Sequence, residues 1–165
     1  SLIQGRVSGF FNFCLEDFSA PTELSLDMTT PDRQTLLKTY EVREVVQNRR
    51  ELKPDIAIFY ARDFDFIDPA EGPDAKRVTD VPLTCCEIVS PSQSSWEILN
   101  KFRVYFALGV KSCWMLDPNV KEIWVYTTMK DKKHFFEGEV VDEVLKVRIP
   151  LYKIFGKSFS VELHK

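Results

Sequence analysis

Apolar positions are clustered at the amino end of the chain and fall into short, clean runs further on. Phe10, Phe11, Phe13, Leu15 and Phe18 form a cluster without a clear period, and Pro21 and Thr29-Thr30-Pro31-Asp32 break any long element. Residues 1–35 therefore read as an N-terminal arm with a short strand or helix. From Lys38 the pattern sharpens. Tyr40, Val42, Glu44 and Val46 alternate with Thr39, Glu41, Arg43 and Val45, the two-residue repeat of a strand. Asn48 to Lys53 follows as a polar turn closed by Pro54. Two runs, Ile56-Ala57-Ile58-Phe59-Tyr60 and Leu83-Thr84-Cys85-Cys86-Glu87-Ile88-Val89, are almost continuously apolar and rich in β-branched, aromatic or small buried residues. Both predict strands covered on both faces. Residues 63–81 between them are dense in Asp, with Pro and Gly, and predict an exposed loop of the length that often folds over a site.

Ser90-Pro91-Ser92 ends the second run, because proline cannot continue a ladder and biases the residue before it to extended geometry. Ser94 followed three residues later by Glu97 has the form of a capping box. Ile98, Leu99, Phe102, Tyr105 and Phe106 then recur at helical spacing until Gly109, which predicts a helix over 94–108. Val110 to Leu116 predicts a strand and Asp117-Pro118-Asn119 a turn. Residues 122–126, 134–141 and 144–149 predict antiparallel strands. No internal repeat or low-complexity linker divides the 165 residues, so 1–165 reads as one domain, an arm over 1–35 and a core over 36–165.

Charge and cysteine usage narrow the chemistry. Lys and Arg number 22 against 25 Asp and Glu, a formal charge of −3, which excludes a polybasic binder but leaves local basic patches open. No apolar run is long enough to cross a membrane and no signal peptide opens the chain. Cys14, Cys85, Cys86 and Cys113 fit neither paired zinc-ligand spacing nor a disulfide framework, and His134 and His164 are too few and too distant for a histidine-based site. Together these features suggest a reduced, cytoplasmic protein.

Two carboxylates stand out. Asp55 opens one apolar strand directly after Pro54, and Glu87 lies within the other. A carboxylate in a buried run is costly unless a metal ion, an ion pair or hydrogen bonds offset it. If the two strands are neighbours, Asp55 and Glu87 approach each other, and a shared divalent cation would relieve their repulsion. The alternative stays open: Asp55 as a turn cap and Glu87 as half of an ordinary ion pair. Lys101 can pair with Glu97 one turn before it on the helix surface. It can also reach back over the end of the preceding strand, where an ammonium could orient water and offset charge on a phosphoryl group.

In order, Pro54-Asp55, Glu87-Ile88-Val89-Ser90-Pro91-Ser92, Glu97, Lys101, Tyr105, Gly109-Val110, Trp114 and Asp117-Pro118 resemble the Uma-two group of restriction-endonuclease-like proteins, part of the PD-(D/E)XK nuclease superfamily. The resemblance covers about residues 36–130, and 87–118 is its specific part. It implies an α/β (α+β) restriction-endonuclease-like core, a mixed central sheet flanked by helices, and a Mg²⁺ or Mn²⁺ site. Asp55 and Glu87 would be the metal carboxylates, the Ile88 backbone carbonyl a further ligand, and Lys101 the catalytic amine. The superfamily lysine two residues after the second carboxylate is replaced here by Val89, so the amine would come from the helix. Ser90, Ser92, Glu97 and Tyr105 would support the site. Upstream, Leu2-Ile3-Gln4-Gly5-Arg6-Val7 faintly echoes the family's opening stretch, with Ser1 where its Glu would be. Glu41 and Glu44 are the candidates for a replacement acid.

The leading expectation is a metal-dependent endonuclease hydrolysing DNA, with Arg49, Arg50, Lys53, Lys76, Arg77 and Arg103 as phosphate partners and a homodimer for cutting both strands. A catalytically weak nucleic-acid-binding or protein-interaction module of the same fold is the alternative, favoured by Val89 and the poorly matched start. A metal-dependent phosphoesterase of another substrate class is the third reading.

Overall fold

A computed structural model of the chain describes residues 1–42, 51–63 and 80–157. Along the chain these form α1 (Leu2–Gly9), continued by a π-helical turn Phe10–Cys14, then β1 (Phe18–Ser19), β2 (Leu26–Asp27), α2 (Pro31–Thr39), β3 (Glu51–Leu52), β4 (Ile56–Tyr60) and β5 (Thr84–Ile88). There follow α3 (Ser95–Leu108), β6 (Ser112–Asp117), β7 (Glu122–Tyr126), β8 (Lys132–Phe135), β9 (Glu139–Asp142), β10 (Val147–Pro150) and α4 (Leu151–Phe155). The central sheet has the order β1-β4-β5-β6-β7-β8. Its pairings are antiparallel except β5–β6, which run parallel and are joined through α3. The sheet is mixed and carries helices on both sides, as the resemblance implies.

The continuous apolar runs follow from burial on both faces. On one face Ile56, Ile58, Cys86, Trp114, Leu116 and Ile123 pack with Val7 and Phe11 of the first helical segment, with the β9–β10 hairpin and with α4. On the other, Cys85, Cys113, Met115 and Tyr126 pack with Ile98, Phe102 and Tyr105 of α3 and with Leu37 of α2. Cys85, Cys86 and Cys113 are fully buried free thiols, small hydrophobes between the layers. The Ser94 hydroxyl accepts from the Glu97 amide to start α3, and Gly109 ends it at φ 107°, a left-handed position that disfavours any side chain.

The amino-terminal half departs from the pattern-based reading. Ile3, Val7, Phe10 and Phe11 recur at helical spacing when the count begins at Leu2, and the arm opens as helix rather than as an irregular segment. Thr29-Thr30-Pro31-Asp32 is a helix start. Thr30 caps α2 by accepting from the Arg33 amide, and Pro31 sits in the first turn, where its missing N–H costs nothing. The strand expected from Lys38 is absent over its described part. α2 runs to Thr39, Tyr40 caps it, and Glu41 turns the chain at φ 50°. Glu44 and the rest of that alternation lie outside the described residues. Within the expected polar turn, Glu51–Leu52 pairs with Leu26–Asp27 as a short ribbon. The stretch 134–141 divides: β8 closes the main sheet and β9 pairs with β10 in a separate hairpin.

Candidate active site

Register places the two carboxylates together. Ile56 faces Cys86 and Ala57 faces Cys85 across the antiparallel β4–β5 pair. One step further out, Asp55 therefore stands opposite Glu87 on the same face of the sheet, the geometry of a cross-strand pair. The contact is tied directly: the Ile88 amide donates to Asp55 Oδ2 at 2.7 Å. The backbone carbonyl of Asp55 is held in turn by the Glu23 amide at 3.2 Å and by Gln4 Nε2 at 2.8 Å. The start of α1 thus braces the start of β4.

α3 lies over this face and brings two further groups. Ile98, Lys101, Phe102 and Tyr105 follow one another on its buried side. The Lys101 ammonium lies 3.1 Å from Glu87 Oε1, and the Tyr105 hydroxyl donates to the same oxygen at 2.6 Å. Lys101 is 3% exposed and Glu87 1%, so this is a buried centre rather than the surface i,i+4 pair that sequence spacing allowed.

Burial dominates the electrostatics. It lifts the Glu87 carboxyl from its ordinary 4.5 to about 8; the Lys101 ammonium opposes that lift and the Asp55 charge adds to it. The Tyr105 phenol is pushed up as well, first by burial and then by Glu87 beside it. Ionising Glu87 would put two carboxylates beside one ammonium, and a divalent cation would neutralise the added negative charge. The donors are all oxygen, the ligand type that Mg²⁺ and Mn²⁺ prefer. No group of three or more ligand-type side chains gathers among the described residues. A cation here would thus take two side chains, Asp55 and Glu87, and complete its shell with water, carbonyl or substrate oxygens, as Mg²⁺ commonly does. The residues fit such an ion.

The other expected site residues are more scattered. The Ser90 and Ser92 hydroxyls lie 3.3 Å from each other at the exposed strand-to-helix turn, and the capping role falls to Ser94. Glu97 is half-buried in the first turn of α3. Arg103 donates to Asn100 Oδ1 at 2.7 Å along the helix, and Lys53 pairs with Glu51 at 3.4 Å. Arg49, Arg50, Lys76 and Arg77 lie outside the described residues. Glu41, half of the proposed replacement acid, sits in the exposed turn after α2 and not on a strand.

Two buried or bracing residues, one at this centre and one on the opposite face of the sheet, were not anticipated. Gln4, which braces Asp55, sat in an arm that gave no reason to expect a contact 51 positions away. Asp142 is fully buried and accepts from Ser112 Oγ and Trp114 Nε1, each at 2.7 Å, and from the Val144 and Leu145 amides. It follows only two valines and precedes Glu143, so no apolar run marked it as one marks Glu87. Four donors on Asp142 identify it as a structural pin.

Comparison with known proteins identifies the family and the fold. A family model described as "Putative restriction endonuclease", Uma2, matches residues 3–148. Among solved structures the chain is similar to a protein from Anabaena variabilis described as a putative nuclease belonging to DUF820. The two share 17% identity and superpose with a TM-score of 0.66 over 93% of this chain and 78% of that one, which establishes a common fold. No curated protein matches the chain. The family match runs from α1 into β10, and the chain belongs to the Uma2 family of putative restriction endonucleases.

Proposed function

We propose that the protein is a divalent-metal-dependent endonuclease that hydrolyses DNA phosphodiester bonds at the Asp55–Glu87 centre. One observation carries the reading: two carboxylates far apart in sequence stand opposite each other in the β4–β5 register, with a buried ammonium 3.1 Å from one of them. Asp55 and Glu87 would hold Mg²⁺ or Mn²⁺, with the Ile88 carbonyl as a further ligand. When bound, the ion supplies Lewis acidity and a water of lowered pKa.

The chain's own residues do the rest. The Ile88 amide fixes Asp55, and Glu87 anchors the Lys101 ammonium inside the site, away from bulk water. From there Lys101 presents a positive charge to a phosphoryl oxygen as negative charge develops, and hydrogen-bonds the attacking water. A fixed cation in a water-poor site stabilises such charge more strongly than one in solvent. Arg103 and the basic residues flanking the strands would contact neighbouring phosphates. Cutting both strands of a duplex calls for two such centres, hence a homodimer, and a DNA substrate together with reduced thiols suits a cytoplasmic protein.

The test is Mn²⁺- or Mg²⁺-dependent cleavage of plasmid and single-stranded DNA by wild type, Glu87→Ala and Lys101→Ala. The expected result is cutting by wild type alone, with each variant slowed by about 100-fold or more. Equal cutting by all three overturns the assignment. Metal binding without cutting by any of them supports the catalytically weak module instead.

A further inference from the structure

We infer that Tyr105 is a positioning residue of this centre: by sharing Glu87 Oε1 with Lys101, its hydroxyl commits that oxygen to the protein and turns Oε2 toward the cation. The inference rests on the metal-site reading above.

Three features carry it. First, both donors meet one atom. Tyr105 Oη lies 2.6 Å and Lys101 Nζ 3.1 Å from Oε1. A carboxylate held by two donors on one oxygen can no longer rotate to offer either oxygen, so its orientation is fixed before any ligand arrives. Second, Asp55 is arranged in the same way. Its Oδ2 accepts the Ile88 amide at 2.7 Å. Each carboxylate thus has one oxygen tied to the protein. Third, Tyr105 is itself immobile. It is fully buried, its ring is 6.4 Å from Phe102, and it stands one helical turn beyond Lys101 on the same helix face. A hydroxyl on so rigid a ring sets direction better than a flexible chain would, and an O–H donating to a carboxylate is among the stronger neutral–ionic bonds.

The plain alternative is a core tyrosine whose hydroxyl merely needed a partner, as buried tyrosines do. The two differ in what they move. A core contact changes stability. A group that orients a ligand changes metal affinity, commonly by 10–100-fold.

The experiment is Mn²⁺ titration, by calorimetry or by the loss of the free-ion electron paramagnetic signal, at a temperature well below melting. It uses wild type, Tyr105→Phe, Glu87→Gln, Asp55→Asn and the Tyr105→Phe double variants with each carboxylate change. Near-UV circular dichroism checks the fold, and Tyr105→Met substitutes if the Phe variant fails to fold. We expect Tyr105→Phe to weaken Mn²⁺ binding about 10-fold or more, with cleavage at saturating Mn²⁺ largely restored, so that the deficit is in metal affinity rather than in turnover. In the Glu87→Gln background the same change should have no further effect, and in the Asp55→Asn background it should keep its full effect. Unchanged Mn²⁺ affinity in Tyr105→Phe, or an equal loss in both backgrounds, overturns the inference and leaves the metal site standing. Unchanged affinity in Glu87→Gln overturns the metal site itself.

Discussion

Without metal, Glu87 makes the fold less stable as pH rises through neutrality. Its folded-state pKa of about 8 stands above the ordinary 4.5. Between those values the folded protein keeps a proton that the unfolded chain has released. Stability then falls as pH rises, with a slope approaching about 1.4 kcal/mol per pH unit for one proton. From pH 5.5 to 7.5 the loss is up to about 3 kcal/mol, since at 1% exposure solvent screens the group little. For a chain of this size that corresponds to a melting temperature lower by about 5–10 °C. The assay is thermal melting in EDTA across this range, comparing wild type with Glu87→Gln. Other carboxylates titrate equally in both proteins, so the difference between the two curves isolates Glu87. That difference should grow steadily in favour of the variant as pH rises. Excess Mn²⁺ should reverse the trend for wild type, because binding requires the ionised carboxylate and its stabilisation grows with pH. A constant difference from pH 5.5 to 7.5 would refute the reasoning, since Glu87 would then titrate alike in both states.

Further tests follow from the same geometry. Asp55→Ala should abolish the stabilisation that Mn²⁺ gives wild type, about 2.7 kcal/mol at 100 times the dissociation constant, as read by thermal scans with and without the ion. Asp142→Ala strands the donors of Ser112, Trp114, Val144 and Leu145 in the core and should cost about 3 kcal/mol or more in urea unfolding, without touching Mn²⁺ affinity. Gly109→Ala forces a side chain onto φ 107° at the end of α3 and should cost about 1–2 kcal/mol by the same measurement.

The carboxyl-terminal two thirds of the fold was legible because each signal there was local. β4, β5, β6 and β7 are apolar runs buried on both sides, and α3 announces itself with Ser94, its 3.6-residue period and Gly109. The amino-terminal part was obscure for the opposite reason. α1 passes into a π-helical turn, which spoils the count of apolar positions, and Pro31 reads as a breaker unless Thr30 is recognised as the cap before it. Tyr40 and Val42, read as strand positions, instead follow the end of α2 at Thr39, Tyr40 as its cap. For the site, the pattern supplied the candidates but not their company. Glu87 interrupts an apolar run while Asp142 stands in an acidic stretch, and Asp142 is balanced by hydrogen bonds and Glu87 by an ammonium and a phenol. Only the three-dimensional neighbours show how each acid is balanced.

The single parallel pair in the sheet has a consequence for how the centre comes into being. Parallel neighbours need a connection that travels back along a face, and between β5 and β6 α3 makes that journey. The same helix delivers Lys101 and Tyr105, so the sheet cannot complete its middle without setting amine and phenol above Glu87. The packing that completes the sheet therefore also places the Lys101 and Tyr105 side chains beside Glu87. Damage to the seating of that helix, at Phe102 for example, would be felt at once in the stability of the molecule and in the contacts that Lys101 and Tyr105 make with Glu87.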